Sequence, residues 1–208
     1  KKDDLPTALL HLGKAIELEP REAGAHVQAG SYLFADNKLD TAAYHLKTAI
    51  ALDPAMIEAR AMLGEIHYRN NDFEQARDQW TKVLAAKPDW PGLQERLEKM
   101  QREDRVESDF QEYASEHFHI RYGKSLTEET RNSVFDILEG AYQDIGKALG
   151  DSFPPGPIQV VLYEGAEFAE VTKSDPHVGA LFDGKIRAPL TNHKGRFLST
   201  PILTSRLR

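Results

Sequence analysis

The sequence predicts two folds in succession, an all-α solenoid of helix-turn-helix repeats over residues 1–104 and a partial α+β domain over residues 108–208. The first prediction rests on prolines that stand 34 residues apart, at Pro20, Pro54 and Pro88. A regular period of this length is typical of stacked helical hairpins. The second rests on a change in apolar spacing after the repeats, from the period of a helix to the alternation of a strand.

An apolar stripe precedes each of these prolines. Each stripe consists of a small residue, a large residue four positions later, and a small or apolar residue three positions after that. These spacings keep all three residues on one face of a helix. Proline then closes the unit because it cannot continue a helix. The stripes are Ala8, Leu12 and Ala15; Ala42, Leu46 and Ala49; and Ala76, Trp80 and Val83, with Gly30 and Gly64 on the helices before the last two.

This pattern resembles the tetratricopeptide repeat, whose helix A carries a glycine and whose helix B carries the stripe. The resemblance implies a half repeat with its helix B at about 4–18, two full repeats at 21–54 and 55–88, and a charged capping helix at about 91–104. A charged hinge should follow over residues 102–109. Because the first repeat lacks helix A, we expect the chain to be a fragment with repeats missing upstream.

The resemblance also implies a binding surface for a protein or peptide, since such repeats present the inner faces of their A helices as a concave groove. A clamp for a C-terminal carboxylate is not expected, because Arg69 is the one basic residue among the groove positions. For Phe34 and Tyr68, packing between repeats is the alternative role. The predicted partner-binding residues are Val27, Ser31, Phe34, Ala61, Glu65, Tyr68 and Arg69.

For the second half, residues 108–208, the sequence predicts the element order β-α-β-α-β-β-α. Thr127 suits the N-cap of a long helix, and Asp183-Gly184 suits the turn of a strand pair. Thr200-Pro201 suits the opening of a last helix. The predicted elements are strands at 116–122 and 158–163, helices at 127–149 and 166–172, a strand pair at 179–190 and a final helix from residue 200.

Four segments carry a second resemblance: the strand His117–Tyr122, the helix with Leu138-Glu139 and Ala141-Tyr142, the strand Ile158–Tyr163 and above all the segment Gly179–Leu190. They resemble the N-terminal part of peptidase MA-like (gluzincin-type) zinc metallohydrolases. In that family a twisted sheet precedes the helix that bears His-Glu-x-x-His, and an edge strand pairs with an extended substrate. The resemblance implies that this edge strand is formed by Gly179, Ala180, Leu181 and Phe182. It also implies zinc in a full-length parent, which could be an active metallopeptidase.

No His-Glu-x-x-His occurs in this sequence. We therefore expect no catalytic residue, no metal and no cofactor in this chain, which should be inactive by itself. His117 and His119 lie two residues apart, as in some metal sites, but most such pairs are ordinary half-buried or exposed strand residues. The expected edge strand should be poorly covered if the rest of its domain is absent.

Two other interpretations stay open. In one, the chain is a complete non-catalytic adaptor whose α+β half is an accessory interaction domain with a closed core of its own. In the other, Asp183, Lys185 and Arg187 surround a phosphate or a sugar in a different kind of enzyme. The support for this enzyme interpretation is the local charge of these three residues.

The overall composition argues against several classes of partner and site. The net charge of −7 argues against a nucleic-acid partner, which would require a basic face. No apolar run approaches the roughly 18 residues that cross a bilayer, so no membrane span is expected. Absence of cysteine excludes disulfides and thiolate chemistry. The sequence predicts a soluble protein but does not distinguish a cytoplasmic from an exported one.

Overall fold

Helices joined by short turns make up the first compact unit, Lys1–Met100. A computed structural model describes residues 5–154, 156–174 and 179–190 of the chain. The helical hairpins predicted from the repeat are confirmed. The helices are α1 Leu5–Leu18, α2 Ala23–Ala35, α3 Leu39–Leu52, α4 Ile57–Arg69, α5 Phe73–Ala86 and α6 Leu93–Glu107, of which α6 continues past Met100 into the second unit.

The two glycines of the repeat mark the points where helices cross most closely. A Cβ atom added at Gly30 would lie 2.8 Å from Leu46 Cγ, and one added at Gly64 would lie 2.4 Å from Trp80 Cδ1. The stripe residues Ala42, Ala49, Ala76 and Val83 are fully buried, each at 0% exposure. Close crossing therefore explains why a glycine recurs on α2 and α4 and a buried stripe recurs on α3 and α5.

The turns inside the two full repeats are also alike. Asn37 and Asn71, 34 residues apart, both adopt the left-handed conformation, with φ of 57° and 61°. The N–H of Lys38 bonds to the carbonyl of Leu33, and the N–H of Asp72 bonds to that of His67. Asparagine tolerates this conformation better than most residues, so it ends helix A and reverses the chain.

The second unit, Gln101–Arg208, contains a mixed sheet. Its strands lie in the order β1-β2-β3-β5-β4. The pairs β2–β3 and β3–β5 are parallel, whereas β1–β2 and β4–β5 are antiparallel. The elements are β1 Gln111–Ala114, β2 Phe118–Tyr122, α7 Glu128–Ala148, β3 Ile158–Tyr163, α8 Gly165–Thr172, β4 Leu181–Phe182 and β5 Ile186–Pro189.

Each face of this sheet has its own core. On one face Phe118, Ile120 and Tyr122 of β2 pack with Val134 and Leu138 of α7. On the other, a second cluster combines residues of β3, α8 and β4 with two residues near the end of α6. It consists of Val161, Tyr163, Phe168, Val171, Val106, Phe110 and Leu181. Strand alternation sends successive residues of β2 and β3 to opposite faces, which produces the two cores.

Two sequence predictions require correction here. The segment predicted as a charged hinge, 102–109, is largely helical, because α6 extends to Glu107. Strand β1 was not predicted. The predicted final helix from residue 200 lies outside the described residues. None of the helices in the described segments is long and apolar enough to cross a membrane.

Candidate functional site

The predicted groove positions lie on α2 and α4, two A helices that contact each other. Ser31 is exposed, whereas Val27, Phe34 and Ala61 are half-buried. Arg69 keeps 25% of its side chain exposed. These positions thus offer apolar side chains, one hydroxyl and one guanidinium.

Tyr68 and Glu65 are placed differently from the other groove positions. Tyr68 is only 3% exposed and lies between the rings of Phe73 and Trp80, at centroid distances of 6.0 and 5.6 Å. It is thus a core residue. Both rings belong to α5 of the same repeat, whereas the alternative role predicted from the sequence was packing against the next repeat. Glu65 is 7% exposed, so its carboxylate is nearly removed from solvent.

Two arginines hold the buried carboxylate of Glu65. Arg69 Nε lies 3.2 Å from Glu65 Oε1, and Arg96 Nη2 lies 2.7 Å from Glu65 Oε2. A buried carboxylate needs such partners, because an unpaired charge in this environment is strongly unfavourable. Glu65 therefore fixes two guanidinium groups close together, and one unit of positive charge remains in excess.

Aromatic rings support the same two guanidinium groups. The Arg69 guanidinium carbon lies 4.3 Å from the centre of the Phe34 ring, and that of Arg96 lies 5.9 Å from the Trp80 ring. These are cation–π distances. Half of the Arg96 side chain, 51%, is exposed. We define the Arg face as Phe34, Glu65, Arg69 and Arg96.

Sequence reasoning missed Arg96, because α6 was interpreted only as a solvated cap. The repeat register gave no signal for it, since the groove positions Ala61 and Glu65 correspond to Glu95 and Lys99, whereas Arg96 stands 34 residues after Met62.

In the second unit, β4 is an edge strand of the described sheet. It pairs with β5 on one side, Leu181 opposite Arg187 and Phe182 opposite Ile186. Phe182 is 75% exposed. Gly179 and Ala180 lie immediately before β4. The neighbouring strand β5 is paired on both sides, with β3 and β4.

A buried ion network occupies the sheet face that carries Tyr163. Arg187, at 0% exposure, contacts Glu103 at 2.8 Å, Glu107 at 3.1 Å and Asp183 at 3.2 Å. The Tyr163 hydroxyl donates to Glu107 at 2.5 Å. Burial raises the pKa of Tyr163, and the negative charge of Glu107 adds to this effect.

Two further cations belong to this network. Arg121 Nη1 lies 2.6 Å from Glu107 Oε2. Lys185 is fully buried, and burial, followed by repulsion from Arg187, lowers its pKa to about 7. Since Lys185 and Arg187 are both at 0% exposure, neither faces solvent where a phosphate or sugar would approach. We define the buried ion network as Glu103, Glu107, Arg121, Tyr163, Asp183, Lys185 and Arg187.

The two strand histidines have separate surroundings. His117 Nδ1 lies 2.7 Å from Glu139 Oε2, and its ring stacks on Tyr142 at 4.1 Å. Ser115 Oγ donates to the other oxygen of Glu139 at 2.9 Å. His119 is exposed on β2. Glu139 thus joins the turn before β2 to α7.

Comparison with known families gives one match, to the family model described as tetratricopeptide repeat, over residues 33–98. This match supports the repeats and gives no support to the peptidase resemblance of residues 108–208. The comparison with curated proteins gave no match.

Several solved repeat structures are similar to part of the chain. The first TPR of Spaghetti (RPAP3), bound to HSP90 peptide SRMEEVD, is 20% identical, with a TM-score of 0.47 over 49% of this chain and 81% of that one. TTC0263, a TPR protein of Thermus thermophilus, is 30% identical, with a TM-score of 0.43 over 48% and 51%. The Sgt2 TPR domain of Aspergillus fumigatus is 16% identical, with a TM-score of 0.47 over 62% and 84%.

Proposed function

Because the first unit consists of tetratricopeptide repeats, we propose that it is a scaffold that binds a segment of a partner protein on the inner surface of its A helices. The observation that carries this proposal is the Arg face. Glu65 orients Arg69 and Arg96 there, and the Arg69 guanidinium lies over the Phe34 ring. Val27 and Ala61 are half-buried on the same two A helices.

The chemistry of this surface favours a partner segment that carries carboxylates. Each guanidinium has five N–H donors, and Glu65 occupies only part of them. Donors that are already fixed in position lose little entropy when a carboxylate binds. The adjacent apolar side chains would take an aliphatic or aromatic residue of the same segment. We therefore expect acidic side chains opposite Arg69 and Arg96.

An array of acidic, neutral and basic heptapeptides tests this function directly. We expect the purified chain to retain the acidic peptides and the double variant Arg69→Gln/Arg96→Gln to lose at least tenfold in affinity, since each charged hydrogen bond contributes on the order of 1.5–3 kcal/mol. The matched control is Lys14→Gln/Lys82→Gln, which removes two positive charges from exposed positions away from the Arg face. Equal affinity of the Arg variant and the control would contradict the proposal.

A second candidate concerns residues 108–208, as the N-terminal part of a peptidase MA-like domain in which Gly179–Phe182 borders an extended substrate. The observation that favours it is the edge position of β4, with Phe182 largely exposed. This candidate requires a His-Glu-x-x-His helix that the present sequence lacks, and zinc would be bound there. If no such motif is encoded within about two helical turns after Arg208, the remaining interpretation is a non-catalytic adaptor with an accessory domain.

A further inference from the structure

A pair of histidines joins α2 to α3 in the first full repeat, at a place that the proposed function does not use. The Nδ1 atoms of His26 and His45 lie 3.1 Å apart, and the ring centres lie 5.3 Å apart. His26 is only 5% exposed, whereas His45 is half-buried. The two rings thus meet through their nitrogens, with one side open toward solvent.

The other nitrogen of His26 has a partner of its own. His26 Nε2 lies 3.4 Å from the carbonyl oxygen of Pro20, which can only accept a hydrogen. A proton on Nε2 leaves the Nδ1 of the neutral ring without one, directed at His45. Histidines that bind metals commonly donate their second ring nitrogen to a carbonyl in this way, which fixes the tautomer and the ring orientation.

The two facing nitrogens can share one proton in a hydrogen bond. A metal ion can replace that proton, because it accepts a lone pair from each nitrogen.

We propose that His26 and His45 form a binding site for a divalent transition ion, Zn²⁺ above all, through their Nδ1 atoms. Two nitrogens that each lie 2.0–2.1 Å from a tetrahedral zinc are separated by about 3.3 Å, so the observed 3.1 Å requires a shift of only a few tenths of an ångström. Among the described residues no set of three or more His, Asp or Glu side chains converges on one point. Water would therefore complete the coordination on the open side of His45.

Calorimetric titration of the tag-free chain with ZnCl₂ at pH 7.5 tests the site. We expect one equivalent to bind, and the affinity to fall at least about tenfold in His26→Gln and in His45→Gln. The matched control is His11→Gln/His119→Gln, which removes two exposed histidines and should bind zinc as the wild type does. Circular dichroism checks that each variant is folded.

A measurement on the unaltered chain covers the case in which a variant fails to fold. Ring ¹⁵N resonances of His26 and His45 report which nitrogen binds the metal, and we expect both Nδ1 signals to shift on addition of one equivalent of Zn²⁺. Unshifted Nδ1 signals, no binding, or binding that persists in both single variants would overturn the proposal. The pair would then be a hydrogen bond between the two rings.

Discussion

At the scale of single residues, the repeat is maintained by steric fit more than by polar contacts. Trp80 is 1% exposed and lies directly against Gly64, and its Nε1 donates to the carbonyl of Ala61 at 3.2 Å. The ring is therefore fixed on both sides, by packing and by a hydrogen bond. Gly13 on α1 offers the opposite case, since an added Cβ there meets nothing within 4 Å.

This contrast predicts opposite effects for one substitution at two glycines. Gly64→Ala should destabilise the repeats by roughly 1–3 kcal/mol, because its Cβ would overlap Trp80, which has no room to move. Gly13→Ala should stabilise them by up to about 1 kcal/mol, because alanine favours the helix and meets no neighbour. Urea denaturation followed by circular dichroism measures both changes. A Gly64→Ala variant as stable as the wild type would show that the crossing is looser than described.

At the scale of secondary structure elements, periodic features were predictable and aperiodic ones were not. The helical hairpins followed from the 34-residue period, and Thr127 caps α7 by accepting from the N–H of Thr130, as the sequence indicated. Strand β1 was missed because all four of its residues are exposed, so it shows no alternation of apolar and polar side chains. The end of α6 was missed because Glu103 and Glu107 look like solvent-facing residues but are fully buried.

The residues of the Arg face were also predictable only in part. Arg69 and Glu65 were predicted from the resemblance to the repeat, whereas Arg96 lies on α6, which was predicted as a cap. Salt bridges between separate helices, such as Arg96–Glu65 at 2.7 Å, leave no mark in local sequence. The same holds for Arg187, whose partner Glu107 lies 80 residues away.

The buried ion network connects α6, β2, β3 and β5, and Lys185 makes its stability depend on pH. The pKa of Lys185 is about 7 in the folded chain and close to 10.5 when unfolded. Between these values the unfolded chain binds more protons, so the free energy of unfolding should increase with pH by up to about 1.4 kcal/mol per unit. The stability gained is fully present above pH 10.5 and is lost as the pH falls through about 7.

Substitution of this one lysine tests the origin of the slope. Lys185→Met keeps most of the buried aliphatic volume but cannot take up a proton, so its unfolding free energy should vary less between pH 7 and 10. Amide hydrogen exchange of β5 measures this locally for both proteins. Identical slopes in the wild type and the variant would mean that Lys185 keeps its proton throughout this range.

At the scale of the whole molecule, the charge opposes the partner that the Arg face favours. The chain carries 33 acidic against 26 basic residues, a net charge of −7, whereas Arg69 and Arg96 are positive. We therefore expect a carboxylate-bearing peptide to be repelled at long range and attracted only at contact. Such an arrangement would favour well-matched partner segments, because long-range repulsion reduces the association of acidic segments that make few contacts at the Arg face.

This balance predicts an unusual dependence of binding kinetics on salt. Mobile ions screen interactions beyond about 10 Å at 0.1 M but affect close, partly buried pairs much less. The association rate of an acidic peptide selected from the array should therefore increase when NaCl is raised from about 0.01 to 0.1 M, whereas attraction between opposite net charges would make it fall. Stopped-flow fluorescence with a labelled peptide measures the rate. A steep decrease would show that the field near the Arg face is positive at the distance of first encounter, so that Arg69 and Arg96 outweigh the rest of the chain.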